Sequence, residues 1–190
     1  MREHRTGTIL SLPNLLSASR IAAAPLLAWT VLSAQASVLA AGLVLAAALT
    51  DLFDGRIARA TGQISGLGAV LDPVADKIFL LTALWLLWGE RVLGGAEAWA
   101  VLIILWREIL VSDLRNHARS LGMTAPVSRL AKVKTAAQYS AVILLFASRV
   151  PSENAGLLLQ AGINVLWAAA ALALYAGMDY LWRTWRQSWK

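Results

Sequence analysis

The chain has no cysteine, two histidines and five prolines, and only 15% of its 190 residues are charged. Without cysteine there is no disulfide framework, no thiol nucleophile and no thiolate zinc site. A soluble domain is about half apolar and about a quarter charged. Here 58% of residues are hydrophobic and mean hydropathy is +0.62, which sets the chain on the membrane side. The same composition excludes a disordered chain, a collagen-like chain and a nucleic-acid-binding tail. No fixed-period repeat or low-complexity tract is present. The charge that remains leans positive, with 17 Lys and Arg against 11 Asp and Glu. In so apolar a chain, that balance suits membrane phospholipids rather than nucleic acid.

A membrane-spanning helix needs about 20 mostly apolar residues. From Ile21 to Thr50 there is no formal charge, and Ser33 to Ser37 is the most polar point, so a hairpin of two spans is expected from near Pro13 to near Ala60. Further spans are expected at 68–89, at about 96–121, at about 128–147 and at about 156–182. The fold class is therefore all-α, a bundle of six transmembrane helices forming one membrane domain over residues 1–190. Met1 to Pro13 has charges but no apolar core of its own, so residues 1–12 read as a short interfacial segment rather than a cleavable signal peptide. Arg2, Arg5, Arg56, Arg59, Arg115, Arg119, Arg129, Lys132, Lys134, Arg183, Arg186 and Lys190 would fall on one side of the membrane, and Arg91 and Arg149 on the other. The positive-inside rule then makes both termini cytoplasmic, with the protein in the cell inner membrane. Trp182, Trp185 and Trp189 read as an interfacial anchor of the last span.

The acidic residues are unevenly placed, with Asp51, Asp54, Asp72 and Asp76 close together beside apolar stretches. A carboxylate at membrane depth costs roughly 2.5 kcal/mol or more unless something compensates it. At about 100° per residue, with Asp51 as zero, Asp54 falls at about −60°, Gly55 at about +40°, Ala58 at about −20° and Arg59 at about +80°. On the next helix, with Gly68 as zero, Asp72 falls at about +40° and Asp76 at about +80°. Each helix thus groups its carboxylates on one face with small residues. Four carboxylates in one pocket repel each other unless cations bind. An oxygen-only donor set favours hard ions such as Mg²⁺, Mn²⁺ or Ca²⁺, and two such ions can clamp a phosphoryl group. For any single aspartate, pairing with Arg56, Arg59 or Lys77 at a helix end would suffice, but that leaves the joint arrangement unexplained.

The run Asp51-x-x-Asp54-Gly55-x-x-Ala58-Arg59, eight residues, then Gly68-x-x-x-Asp72-x-x-x-Asp76 resembles the signature of the CDP-alcohol phosphatidyltransferases at every fixed position. That resemblance implies a six-span homodimeric membrane enzyme, which moves a phosphatidyl group from CDP-diacylglycerol to an alcohol and releases CMP. It implies Asp51, Asp54 and Asp72 as ligands of two divalent ions, Mg²⁺ or Mn²⁺, with Asp76 near the second ion and serving as general base. Gly55 and Ala58 would leave room for the cytidine, Arg59 would hold its phosphates, and Gly68 would permit close approach of the donor.

Two further stretches carry resemblance. Leu12-Pro13-Asn14-Leu15-Leu16-Ser17-Ala18-Ser19-Arg20 and Arg107-Glu108-x-x-x-Ser112-x-x-Arg115, the latter followed by Lys132-x-Lys134-Thr135-x-x-Gln138, are similar to the bacterial branch of that family whose acceptor is sn-glycerol 3-phosphate. Ser17 stands where Thr is usual, and Ala131 where Gly is usual. With Glu108 as zero, Ser112 falls at about +40°, Arg115 at about −20° and Arg119 at about +20°, a polar stripe on an otherwise apolar helix. Basic groups at Arg107, Arg115, Lys132 and Lys134 suit an acceptor that itself carries phosphate, while Glu108 would orient Arg115 or Arg107. Another acceptor, an inositol phosphate or phosphatidylglycerol, is the alternative within the family. A cation transporter is the alternative outside it, although its carboxylates would be expected near the midplane, often between inverted repeats.

Overall fold

The computed structural model describes residues 12–33, 36–61, 66–120 and 129–188; within its helices, the side chains of 51–61, 66–73, 76 and 115–120 are among those outside the description. The described residues form six helices and no strand: α1 Leu12–Leu32, α2 Ser37–Thr61, α3 Gly66–Gly89, α4 Glu97–Ser120, α5 Arg129–Ala147 and α6 Ala155–Ser188. Each lies on one of the apolar stretches expected to be helical. Of the expected interfacial segment, Leu12 is the first residue of α1 and the remainder lies outside the described residues. The chain divides between Leu86 and Leu87 into two compact units.

In the first unit, α1 packs on α2. The buried positions recur at helical spacing, Ala24, Leu27 and Val31 on α1, Ala40, Val44, Ala47 and Ala48 on α2. Several are alanines, whose small side chains let the two backbones approach closely. Thr30 Oγ1 donates to the Leu27 carbonyl at 2.8 Å, and the amides of Ser33 and Ala36 donate to the carbonyls of Trp29 and Thr30 as the chain turns into α2. Pro25 lies inside α1, where its ring leaves one carbonyl of the preceding turn without a helical donor.

The second unit holds the packed group α4, α5 and α6, in which α6 touches both of the others. Its entry follows the end of α3, where the amides of Val92 and Leu93 both donate to the Leu87 carbonyl and Arg91 takes a left-handed φ of 57°. At the same end of the unit, Arg149 Nη2 donates to Glu90 Oε2 at 3.0 Å, tying the turn before α6 to the turn before α4. Facing residues on α6 are small: Ala169, Ala170, Ala173 and Ala176 are buried. At Gly162 a Cβ would stand 2.8 Å from Leu145 Cγ and 3.2 Å from the Leu145 amide nitrogen. Glycine is thus required there for α5 and α6 to approach as closely as they do.

Among the described residues, one helix is long and apolar enough to cross a membrane, Ala155–Arg186, and 28% of its most apolar window is buried within the protein. So little burial distinguishes it from the core helix of a soluble domain. The other apolar runs are shorter, Ala18–Leu32, Ser37–Thr50 and Lys77–Gly89. The second stops at Asp51 and the third begins just after Asp76, so the residues of the carboxylate motif are what shorten them. In α4 the interruption is the adjacent pair Arg107 and Glu108.

Candidate active site

The carboxylate positions stand on uninterrupted helical backbone, Asp51, Asp54, Gly55, Ala58 and Arg59 on α2 and Gly68, Asp72 and Asp76 on α3. That continuity is what the angular grouping of i,i+3 and i,i+4 positions requires. The side chains of all eight lie outside the described ones. Among the described residues no group of three or more His, Cys, Asp or Glu comes together.

The second candidate cluster is described in full at its centre. Arg107 and Glu108 are buried on α4, and Lys134 and Gln138 are buried on α5. Lys134 and Gln138 are one turn apart and so share a face. Three donors converge on one oxygen, Glu108 Oε1: Arg107 Nη1 at 3.2 Å, Lys134 Nζ and Gln138 Nε2 at 3.3 Å. Arg107 Nε is buried without a hydrogen-bond partner. Of the expected acceptor residues, Arg107 and Lys134 are therefore brought together through Glu108. Lys132 is exposed and is not among the donors that meet Glu108, and the Arg115 side chain lies outside the described ones.

Three residues with no role expected from sequence enter the description. Gln138 stands in a quoted motif but is assigned nothing there; its burial on the Lys134 face is the i,i+4 signal that would have found it. Gly177 on α6 lies against Arg107, since a Cβ there would come 3.3 Å from Arg107 Cγ and 3.8 Å from its Nε; no pattern in the sequence links positions so far apart. Arg20 on α1 is 1% exposed, a wholly buried cation in the same unit as α2. Its place at the end of the Pro13–Arg20 motif in an apolar stretch was the available sign.

Comparison with known proteins follows the same lines. The sequence model of a family described as CDP-alcohol phosphatidyltransferase matches residues 10–181. A CDP-diacylglycerol–glycerol-3-phosphate 3-phosphatidyltransferase of Rickettsia bellii is 38% identical over 90% of this chain and 93% of its own length. A protein of the same name from Cereibacter sphaeroides is 37% identical over 88% of this chain and 76% of its own. A CMP-forming cardiolipin synthase of Oryza sativa is 36% identical over 94% of this chain and 58% of its own. The quoted motifs and the match over most of the length agree, and the chain belongs to the CDP-alcohol phosphatidyltransferase family.

Proposed function

We propose that this protein is an integral membrane enzyme that transfers the phosphatidyl group of CDP-diacylglycerol to sn-glycerol 3-phosphate, yielding phosphatidylglycerophosphate and CMP. The observation that carries the choice of acceptor is the buried cluster of two cations on one carboxylate, Arg107 and Lys134 on Glu108. Buried charge is retained where it is paired or put to use, and here Arg107 Nε stays buried without a hydrogen-bond partner, open to an anion. An acceptor bearing a phosphate dianion meets that need; a neutral polyol does not. The names of the Rickettsia and Cereibacter relatives point to the same acceptor.

On the donor side, Asp51, Asp54, Asp72 and Asp76 are the groups we assign to hold two divalent ions, Mg²⁺ or Mn²⁺. The fit is chemical: the donor set is oxygen only, without His or Cys, and the helices that carry it are continuous. Bound there, the ions would neutralise the pyrophosphate and leave its phosphorus open to in-line attack. Arg59 holds the donor's phosphates by charge-assisted hydrogen bonds. Gly55, Ala58 and Gly68 keep space for the nucleotide where longer side chains would block it. Asp76 takes the proton of the acceptor's primary hydroxyl as that oxygen attacks. Arg107 and Lys134 hold the acceptor's phosphate, with Arg115 and Lys132 as further cations for it.

The wider setting belongs to the same proposal. All six helices are read as spans of one membrane domain, both termini cytoplasmic, with the active site facing the cytoplasm of the inner membrane and the protein working as a homodimer. Support comes from the lipid-suited exposure of Trp85, Trp88, Trp99, Trp182 and Trp185 and from the positive-inside count. At the end of α6, Arg186 sits 4.9 Å over the Trp182 ring, an arrangement suited to seating a helix among headgroups. The rice relative's name keeps phosphatidylglycerol as the second reading of the acceptor. Purified protein given labelled CDP-diacylglycerol and a panel of acceptors tests the proposal. CMP release should need a divalent ion and be fastest with glycerol 3-phosphate; faster release with phosphatidylglycerol or inositol 3-phosphate would replace the acceptor.

A further inference from the structure

A carboxylate is an odd companion for groups that are to hold an anion, because it competes for the same donors. Glu108 is nevertheless buried beside Arg107 and Lys134 and accepts from both through a single oxygen. One observation shows that the cluster does not simply cancel itself. Arg107, only 8% exposed, keeps its Nε–H without an acceptor, a costly state for a buried guanidinium donor. On the α6 side, Gly177 faces this stem with no side chain of its own, and a Cβ would stand 3.3 Å from Arg107 Cγ. Arg107 is thus held by Glu108 at its Nη1 and given room at Gly177, with its Nε–H unspent.

We propose that Glu108 is a positioning residue for the acceptor's phosphate: it anchors Arg107 and Lys134 to one shared oxygen, so that Arg107 Nε–H and the Lys134 ammonium are already placed for the incoming dianion. This rests on the reading of the cluster as the acceptor subsite. Glu108 touches neither substrate nor reacting atoms and acts through the two cations. Its charge also sets the selectivity of the subsite. A phosphate monoester supplies the acceptor that Arg107 Nε–H lacks within the cluster. Without Glu108 the cations repel each other and lose their common anchor.

The test is steady-state kinetics on the full chain, varying glycerol 3-phosphate and CDP-diacylglycerol in turn, for the wild type, Glu108→Gln, Glu108→Asp, Lys134→Gln and the double variant Glu108→Gln/Lys134→Gln. Glu108→Gln should raise KM for glycerol 3-phosphate by about tenfold or more and leave KM for CDP-diacylglycerol within about twofold, whatever fall in thermal midpoint accompanies it. Inorganic phosphate should weaken in parallel as a competitive inhibitor. Glu108→Asp, which keeps the charge at shorter reach, should fall between wild type and Glu108→Gln, and it carries the test if Glu108→Gln does not fold. The double variant should be little worse than Lys134→Gln, because residues acting through one another are not additive. If Lys134→Gln raises the acceptor KM while both Glu108 variants leave it unchanged, the subsite stands and the positioning role is overturned. Parallel rises in both KM values upon Glu108 substitution would mark a structural role only and overturn it too. If neither Lys134→Gln nor the Glu108 variants move the acceptor KM, the acceptor reading itself falls, and the positioning role with it.

Discussion

Helices α4 and α6 pack against each other in the same unit yet solve opposite problems. The 32-residue stretch Ala155–Arg186 of α6 is apolar throughout most of its length and meets its neighbours through alanine and glycine. Helix α4 carries Arg107 and Glu108 in its middle, both buried. A charge buried without a partner is costly, so α4 depends on what α5 returns to it, the Lys134 ammonium and the Gln138 amide. Helix α6 is scaffold: removing any one of its contacts changes packing. Helix α4 is scaffold with a buried charged cluster built into it, where the compensation is specific and therefore chemically informative. The same division separates the apolar first part of α2 from its end at Asp51 to Arg59.

That contrast can be broken in graded ways. If charged positions within apolar helices carry the chemistry, the largest loss of turnover with the fold kept should come from a carboxylate. Asp76→Asn is expected to lower kcat by about 10²–10⁴-fold, the range of a general base, while equilibrium binding of CDP-diacylglycerol persists; near-normal turnover would remove Asp76 from that role. Next in size, Glu108→Leu should destabilise the protein by about 3–5 kcal/mol, because it strands buried cations rather than deleting a pair. Chemical denaturation in detergent measures this, and a loss no larger than that of a surface substitution would place the cluster in water. On the apolar side, Gly162→Val should cost about 1–3 kcal/mol by forcing α5 and α6 apart, with both KM values unchanged. Smallest is Arg183→Ala at the exposed end of α6. Its ion pair with Asp179, 2.8 Å long, should be worth only about 0.3–0.5 kcal/mol in the same unfolding measurement.

The two helices also differ in how far they could be read from residues alone. Charge-free runs marked where helices lie because apolar length is a local property, and the bounds fall close to those expected, as with α4 at Glu97–Ser120 against about 96–121. Helix α6 runs on to Ser188, past the expected end at Trp182. Apolarity stops near there, but the Asp179–Arg183 pair and the stacking of Arg186 on Trp182 hold the backbone helical for further turns. Within the cluster, Arg107 and Lys134 were legible as basic residues of the motifs in α4 and α5. The meeting of Lys134 with Glu108, 26 positions away, was not, since it depends on how α4 and α5 turn toward each other. Nor was the closeness of Gly177 to Arg107, because a glycine in an apolar helix signals close approach without naming what approaches. Asp51, Asp54, Asp72 and Asp76 were the most legible of all, being a fixed spacing on adjacent helices, and their helical backbone agrees with that spacing.

The most direct measurement is transfer of labelled glycerol 3-phosphate into lipid by the purified protein in phospholipid vesicles containing CDP-diacylglycerol and Mg²⁺ or Mn²⁺. The account predicts that label appears in a phosphatidylglycerophosphate product, mole for mole with CMP, and that chelation of the divalent ion stops both. CMP release with no label entering lipid, or ion flux across the vesicles without CMP release, would contradict it.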